Sequence, residues 1–246
     1  MTAAGAVAIV VAGWLIGATG IGGVLVVPAL AQLEGTEVQR AIAASALAFG
    51  FPGAAALWWL HRSGAAAGAR LLPLLAGAVP GAVAGALLVH HVQPRWLLVG
   101  LAALALTSGL RGLRQHAGGG APPDPVPLTI TWWVVLGAAV GLGSALTGTG
   151  GPVLLVPVLM LLRQPTVPTI AAAQAIQLPL ALCASAAHAT TGALDLRLAL
   201  TLGALLLAGS LAGLWCSRRL PLRGLQQLVS LLLVATSAWM AWRAFQ

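Results

Sequence analysis

The sequence predicts an all-α, polytopic integral membrane protein of two homologous four-segment halves, on three observations. The first is composition: 59% of the 246 residues are hydrophobic and only 7% are charged, against about 25% charged in soluble domains. The second is run length. Uncharged stretches well beyond the roughly 20 residues that span a bilayer recur along the chain, without the strict polar–apolar alternation of barrel strands. The third is an internal repeat. The glycine-broken stretch Gly17-Ala-Thr-Gly-Ile-Gly-Gly-Val-Leu-Val-Val-Pro28-Ala-Leu30 returns as Ala145-Leu-Thr-Gly-Thr-Gly-Gly-Pro-Val-Leu-Leu-Val-Pro157-Val-Leu159.

In chain order, residues 3–33 form an uncharged stretch of 31 residues. As one helix it would be about 46 Å long, against a bilayer core of ~30 Å. It must tilt, protrude or break, and Gly20 to Gly23 is the expected break, because glycine is a poor helix-interior residue. No basic residue precedes it, so it reads as a retained membrane segment rather than a cleaved signal. An acidic loop (Glu34, Glu37) leads to helices at 38–60, 68–89 and 95–113, completing a first repeat at 1–113. Residues 114–127 hold Gly118-Gly-Gly120, Asp124 and four prolines and read as the linker. The second repeat, 128–246, starts with the broken stretch 128–162 and continues with helices at 167–189, 196–215 and 222–242.

The repeat extends beyond the glycines. Ala43-Ala-Ser-Ala-Leu47 aligns with Ala172-Ala-Gln-Ala-Ile176, His61 with His188, Arg70 with Arg197, and Pro94 with Pro221. Gly81-xxx-Gly85 aligns with Gly209-xxx-Gly213, a small-xxx-small spacing that suits close helix packing. Cys183 and Cys216 lie in apolar runs and read as small buried hydrophobes. Trp58, Trp59, Trp96, Trp132, Trp133, Trp239 and Trp242 fall near run ends, as interfacial anchors do.

The net charge of +8 comes from twelve arginines, no lysine and four acids. The arginines sit singly or in pairs between apolar runs, which fits membrane loops and gives no nucleic-acid partner. If all eight segments crossed the bilayer, the arginines would divide six and six. If each broken stretch instead enters and returns to one side, Arg62, Arg70, Arg111, Arg114, Arg163, Arg218, Arg219 and Arg223 share a side. Arg40, Arg95, Arg197 and Arg243 then lie opposite, with three of the four acids. This eight-to-four division obeys the positive-inside rule. It makes the halves inverted repeats, with both termini outside the cytoplasm.

No formally charged residue lies in the middle of a segment, so a buried carboxylate proton switch is not expected. Hydrolase, zincin and nucleotide-binding motifs are absent, and the sequence predicts neither an enzyme nor a metal or organic cofactor. The glycine breaks have a different use. A helix restarting after a break presents N–H groups and a partial positive charge of roughly +0.5, and glycines let an anion reach the backbone. The expected site is therefore Thr19, Gly20, Gly22 and Gly23 with Thr147, Gly148, Thr149, Gly150 and Gly151. Ser45 and Gln174 at matched positions are further donors. Gln177 and the pairs Thr107-Ser108 and Thr236-Ser237 are secondary, since membrane threonines commonly bond back to the preceding turn. His61 and His188 suit either a pH-sensitive gate or interfacial caps.

The doubled motif, with Gly17, Gly20, Gly22, Gly23 and Val27-Pro28-Ala-Leu30 in one half and Gly148, Gly150, Gly151 and Val156-Pro157-Val-Leu159 in the other, resembles the TauE/SafE family of membrane transporters. The resemblance spans both halves. It implies a cell-membrane exporter of sulfite, sulfoacetate and related small sulfur-containing anions, working by alternating access. The chain departs where a third glycine is common (Val24 and Pro152) and where a Thr-Ser pair is common (Ala44-Ser45 and Ala173-Gln174). The expected partners are a small anionic substrate and the lipid bilayer, with room for a homo-oligomer. Uptake of another small anion and a non-transporting membrane scaffold are the alternatives.

Overall fold

A computed structural model describes residues 1–62, 68–88, 94–117, 124–147, 150–190, 194–217, 219 and 221–244. All regular elements among these residues are helical. Helix α1 (Ala3–Thr19) ends in a left-handed turn at Gly20, whose φ is 78° and whose N–H donates to the Ile16 carbonyl at 2.8 Å. A 3-10 turn (Gly23–Leu25) then leads into α2 (Val26–Leu33). The chain doubles back here rather than running on. Glu34, just past α2, accepts from Thr2 N at 2.8 Å and from the Thr2 hydroxyl at 2.6 Å, and lies 3.8 Å from the terminal ammonium. The Thr2 hydroxyl bond is the main reason that the Glu34 carboxyl titrates below the ordinary carboxylate value, helped by the Thr2 N–H and the nearby ammonium.

The second half closes in the same way. Helix α7 (Ile130–Thr147) and helix α8 (Pro152–Leu161) form a hairpin. Val126 N donates to the Leu162 carbonyl at 3.1 Å, and Gln164 Nε2 returns to the Val126 carbonyl at 2.7 Å. Each long uncharged stretch therefore starts and finishes at one end of the bundle.

The next segments differ from the single helices expected at 38–60 and 167–189. The first is α3 (Val38–Ala48) and α4 (Gly50–Arg62), interrupted at Phe49. The second is α9 (Thr166–Ala175) and α10 (Gln177–Thr190), interrupted at Ile176. A proline follows each interruption. Pro52 and Pro179 stand third in their helices, so neither can donate an N–H to the residue four back, Ala48 or Ala175. Those two are the last residues of α3 and α9. Helices α5 (Gly68–Leu88) and α6 (Pro94–Ala117) complete the first half, and α11 (Leu196–Ser217) and α12 (Leu222–Ala244) the second. By length and composition, Arg40–Trp59, Thr166–Ala186 and Leu196–Ser217 suffice to cross a membrane.

The halves exchange partners. Helix α1 packs along α11, α7 along α5, and α6 against α12. Glycines make the first two contacts possible. A Cβ on Gly13 would lie 2.6 Å from the Leu206 carbonyl, and one on Gly17 would overlap the Ser210 carbonyl. Gly209 and Gly213 in turn meet the backbone around Val10 and Trp14. In the other pair Gly81 meets Ala138, while Gly137 and Gly141 meet Leu74 and Ala78. Contacts advance together along both helices of each pair, so both pairs are parallel. In α6 and α12, Gly109 meets Ser230, Leu233 and Val234 whereas Gly112, further along α6, meets Ser230 and neither of the later two, the order of an antiparallel crossing.

Two buried cores follow this exchange. One joins Ile9, Ile16, Val26, Leu30, Ala44, Leu202 and Leu206 from α1–α3 and α11, with Phe49 from the interruption after α3. The larger joins α5–α10 and α12 around Leu74, Leu155, Leu159, Ile176 and Leu233. Trp58, Trp132 and Trp242 are well exposed, as interfacial anchors should be. Trp133 is only 6% exposed and belongs to the larger core, so adjacency to Trp132 on a helix separates their environments. Trp96's side chain lies outside the described residues.

Candidate functional site

The two hairpins meet in the buried middle. A Cβ on Gly20 would lie 3.4 Å from Val156 of α8 and 3.7 Å from Ala173 of α9, so the first break abuts both elements of the other half. Gly150 and Gly151, with φ of 79° and 91°, make the second turn. A Cβ on Gly150 would sit 3.1 Å from the Phe49 ring, at the interruption between α3 and α4. Each glycine break thus lies against the second segment of the opposite half. Gly148 and Thr149 lie outside the described residues, as does the Thr147 side chain.

The expected polar groups fall into different roles. Thr19 is fully buried, and its hydroxyl donates to the Leu15 carbonyl at 2.7 Å while accepting from Ile21 N at 3.2 Å. Ser45, also buried, bonds back to the Ala41 carbonyl at 2.6 Å. Gln174 crosses between halves: its Nε2 donates to the carbonyls of Ile16 at 2.8 Å and Gly17 at 3.0 Å. It caps the end of α1, where helix carbonyls lose their intrahelical partners. Gly22 packs so tightly that an added Cβ would overlap the Ala12 carbonyl. Its N–H has no acceptor among the described residues. Gly23 opens the 3-10 turn and is buried.

The residue that the sequence undervalues is Gln177. It stands at the start of α10, is 1% exposed, and its Oε1 has no hydrogen-bond partner among the described residues. Thr169 on α9 is 2% exposed, and its hydroxyl too has no partner among the described residues. Buried polar atoms are nearly always paired, so such atoms mark where another group belongs. The sequence offers one hint, Pro179 two residues on, whose missing N–H leaves the Ala175 carbonyl without its helical partner beside Gln177. Of the secondary pairs, Thr107, Thr236 and Ser237 bond back to their own helices, while the buried Ser108 hydroxyl has no partner among the described residues.

His61 is exposed in the last turn of α4, away from this middle. The His188 side chain lies outside the described residues. Among the described residues no cluster of metal-ligating side chains occurs.

Apolar helices of membrane-crossing length, packed through glycines around a middle lined by backbone and neutral polar groups, define a helical integral membrane protein. The chain belongs to the sulfite exporter TauE/SafE family, whose model matches residues 5–240, nearly its whole length. That is a family of membrane transporters for sulfur-containing anions. No curated protein and no solved structure matches the chain.

Proposed function

We propose that this protein exports a small sulfur oxyanion, sulfite or an organosulfonate such as sulfoacetate, across the cell membrane by alternating access between two inverted repeats. The observation that carries the reading is the pair of hairpins, each closed at its own end, whose glycine turns meet the opposite half in the buried middle. Paired breaks of this kind at matched positions mark substrate sites in transporters. The antiparallel α6–α12 crossing supports inversion, because parallel repeats would set these matched helices parallel.

The anion is held by neutral donors, the Gly22 N–H and the N-terminal turns of α2 and α8, while the Gln177 Oε1, an acceptor, takes the O–H of a protonated oxyanion such as hydrogensulfite. Thr147, Gly148 and Thr149 complete the second turn in this reading. A site without a fixed countercharge binds through dipoles and releases readily. Gln174, with its amide given to α1, joins the two halves rather than contacting the anion. Thr19 and Ser45 hold backbone in place.

Purified protein in liposomes tests the reading through flux of sulfite against acetate and sulfate. Sulfite or sulfonate flux well above that of empty liposomes is expected. Absence of flux for every small anion would leave the scaffold alternative standing.

A further inference from the structure

Away from the central site, the outer face of α6 carries an open groove of about 560 Å³ lined by Thr107, Leu110, Arg111 and Arg114. We propose that this groove is a binding site for an anionic phospholipid, its phosphate between the two arginines and an acyl chain along the leucine wall below.

Four features carry the assignment. Arg111 and Arg114 are three residues apart, hence neighbours on one helix face, and their guanidiniums can share one phosphate. Neither has an ion pair among the described residues, where the pairs found are Met1 with Glu34 and Arg40 with Asp195. Both of those pairs lie at the other end of the bundle. One turn deeper, Leu106 and Leu110 are each 40% exposed. In a membrane protein that exposure faces acyl chains. The groove therefore changes from charged to apolar in the direction that a lipid headgroup and tail require.

The internal repeat sharpens the point. Thr107-Ser108 matches Thr236-Ser237, so Arg111 corresponds to Met240 and Arg114 to Arg243. The double arginine is thus not inherited from the repeat. It occurs only at the end that also gathers Arg163 and Arg223, which follow α8 and open α12.

The full chain in nanodiscs provides the experiment, comparing melting midpoints in pure phosphatidylcholine with those in a phosphatidylcholine–phosphatidylglycerol mixture. The wild type should gain several degrees in the mixture, and R111Q/R114Q should lose that gain while matching the wild-type midpoint in phosphatidylcholine. Competition between the lipids should show each arginine contributing about fivefold to the preference for phosphatidylglycerol. If the double variant fails to fold, R114Q alone, at an exposed position, should lose part of the gain. An equal gain in wild type and variant overturns the proposal. So does an equal gain from inorganic phosphate added at the headgroup concentration, which would mark a free-anion site.

Discussion

Gln174 and Gln177 are both buried amides three residues apart, yet the structure gives them opposite tasks. Gln174 Nε2 serves two carbonyls at the end of α1, so Gln174→Leu strands that of Gly17 in a buried place, while the Ile16 carbonyl keeps the Gly20 N–H. A loss of about 1–3 kcal/mol in unfolding free energy is expected, read from denaturant titration of the purified protein. Gln177 Oε1 has no partner among the described residues, so Gln177→Leu should leave the unfolding midpoint unchanged or raise it. With its Oε1 accepting the O–H of hydrogensulfite, its loss should lower sulfite flux in liposomes about tenfold, the scale of one hydrogen bond. Destabilisation by Gln177→Leu together with unaltered flux would reverse this assignment. Repeat alignment singles out Gln174 and Ser45 because it pairs positions. It does not say which partner each side chain reaches, and Gln174 reaches across to the other half, 158 residues earlier in the chain.

Elements show which parts of the fold are legible in sequence and which are not. The hairpins are legible because a 31-residue apolar stretch broken by Gly20 to Gly23 is too long for one span. The interruptions at Phe49 and Ile176 are not, although Pro52 and Pro179 stand in plain view. Pro73 and Pro80 lie inside the continuous α5, because neighbouring packing in membranes can absorb a missing N–H. Proline alone therefore does not locate a break. Glycine has the same ambiguity. Gly213→Leu should destroy the fold, since even its Cβ would overlap the Trp14 carbonyl. Gly100→Leu should be tolerated, since nothing lies within 4 Å of a Cβ there. The monodisperse fraction in size-exclusion chromatography separates the two, and equal behaviour would remove the close-packing account of α1 and α11. Gly20 offers a cleaner probe of the central site than Gly22, whose neighbours leave no space. Asparagine tolerates positive φ, and the nearest atom to a Cβ at Gly20 is 3.4 Å away.

At the scale of the whole molecule, charge sorts to two ends, and each end has its own closure. At one end Glu34 ties α2 to the start of α1, and Arg40 pairs with Asp195 at 3.2 Å. The Glu34 carboxyl is held below its ordinary value of 4.5, so its contribution is complete above the unfolded value and fades as pH falls through the lowered folded one. Wild type should thus melt above Glu34→Gln at neutral pH, and the two curves should converge in acid. A constant gap across pH would mean that the contact does not depend on ionisation. At the other end the Gln226 amide donates to the Thr166 hydroxyl at 3.2 Å, joining the starts of α12 and α9 at the end that carries Arg111 and Arg114 of α6 and Arg163 after α8. Arginines are retained in the cytoplasm, so this second end should face inward and the Glu34 end outward. Impermeant maleimide tests the orientation on intact cells, in a background with Cys183 and Cys216 replaced. Glu37→Cys should label from outside, whereas Arg223→Cys should label only after permeabilisation. The reverse pattern would turn the bundle over. Labelling of both from outside would be incompatible with hairpins that each return to their own end.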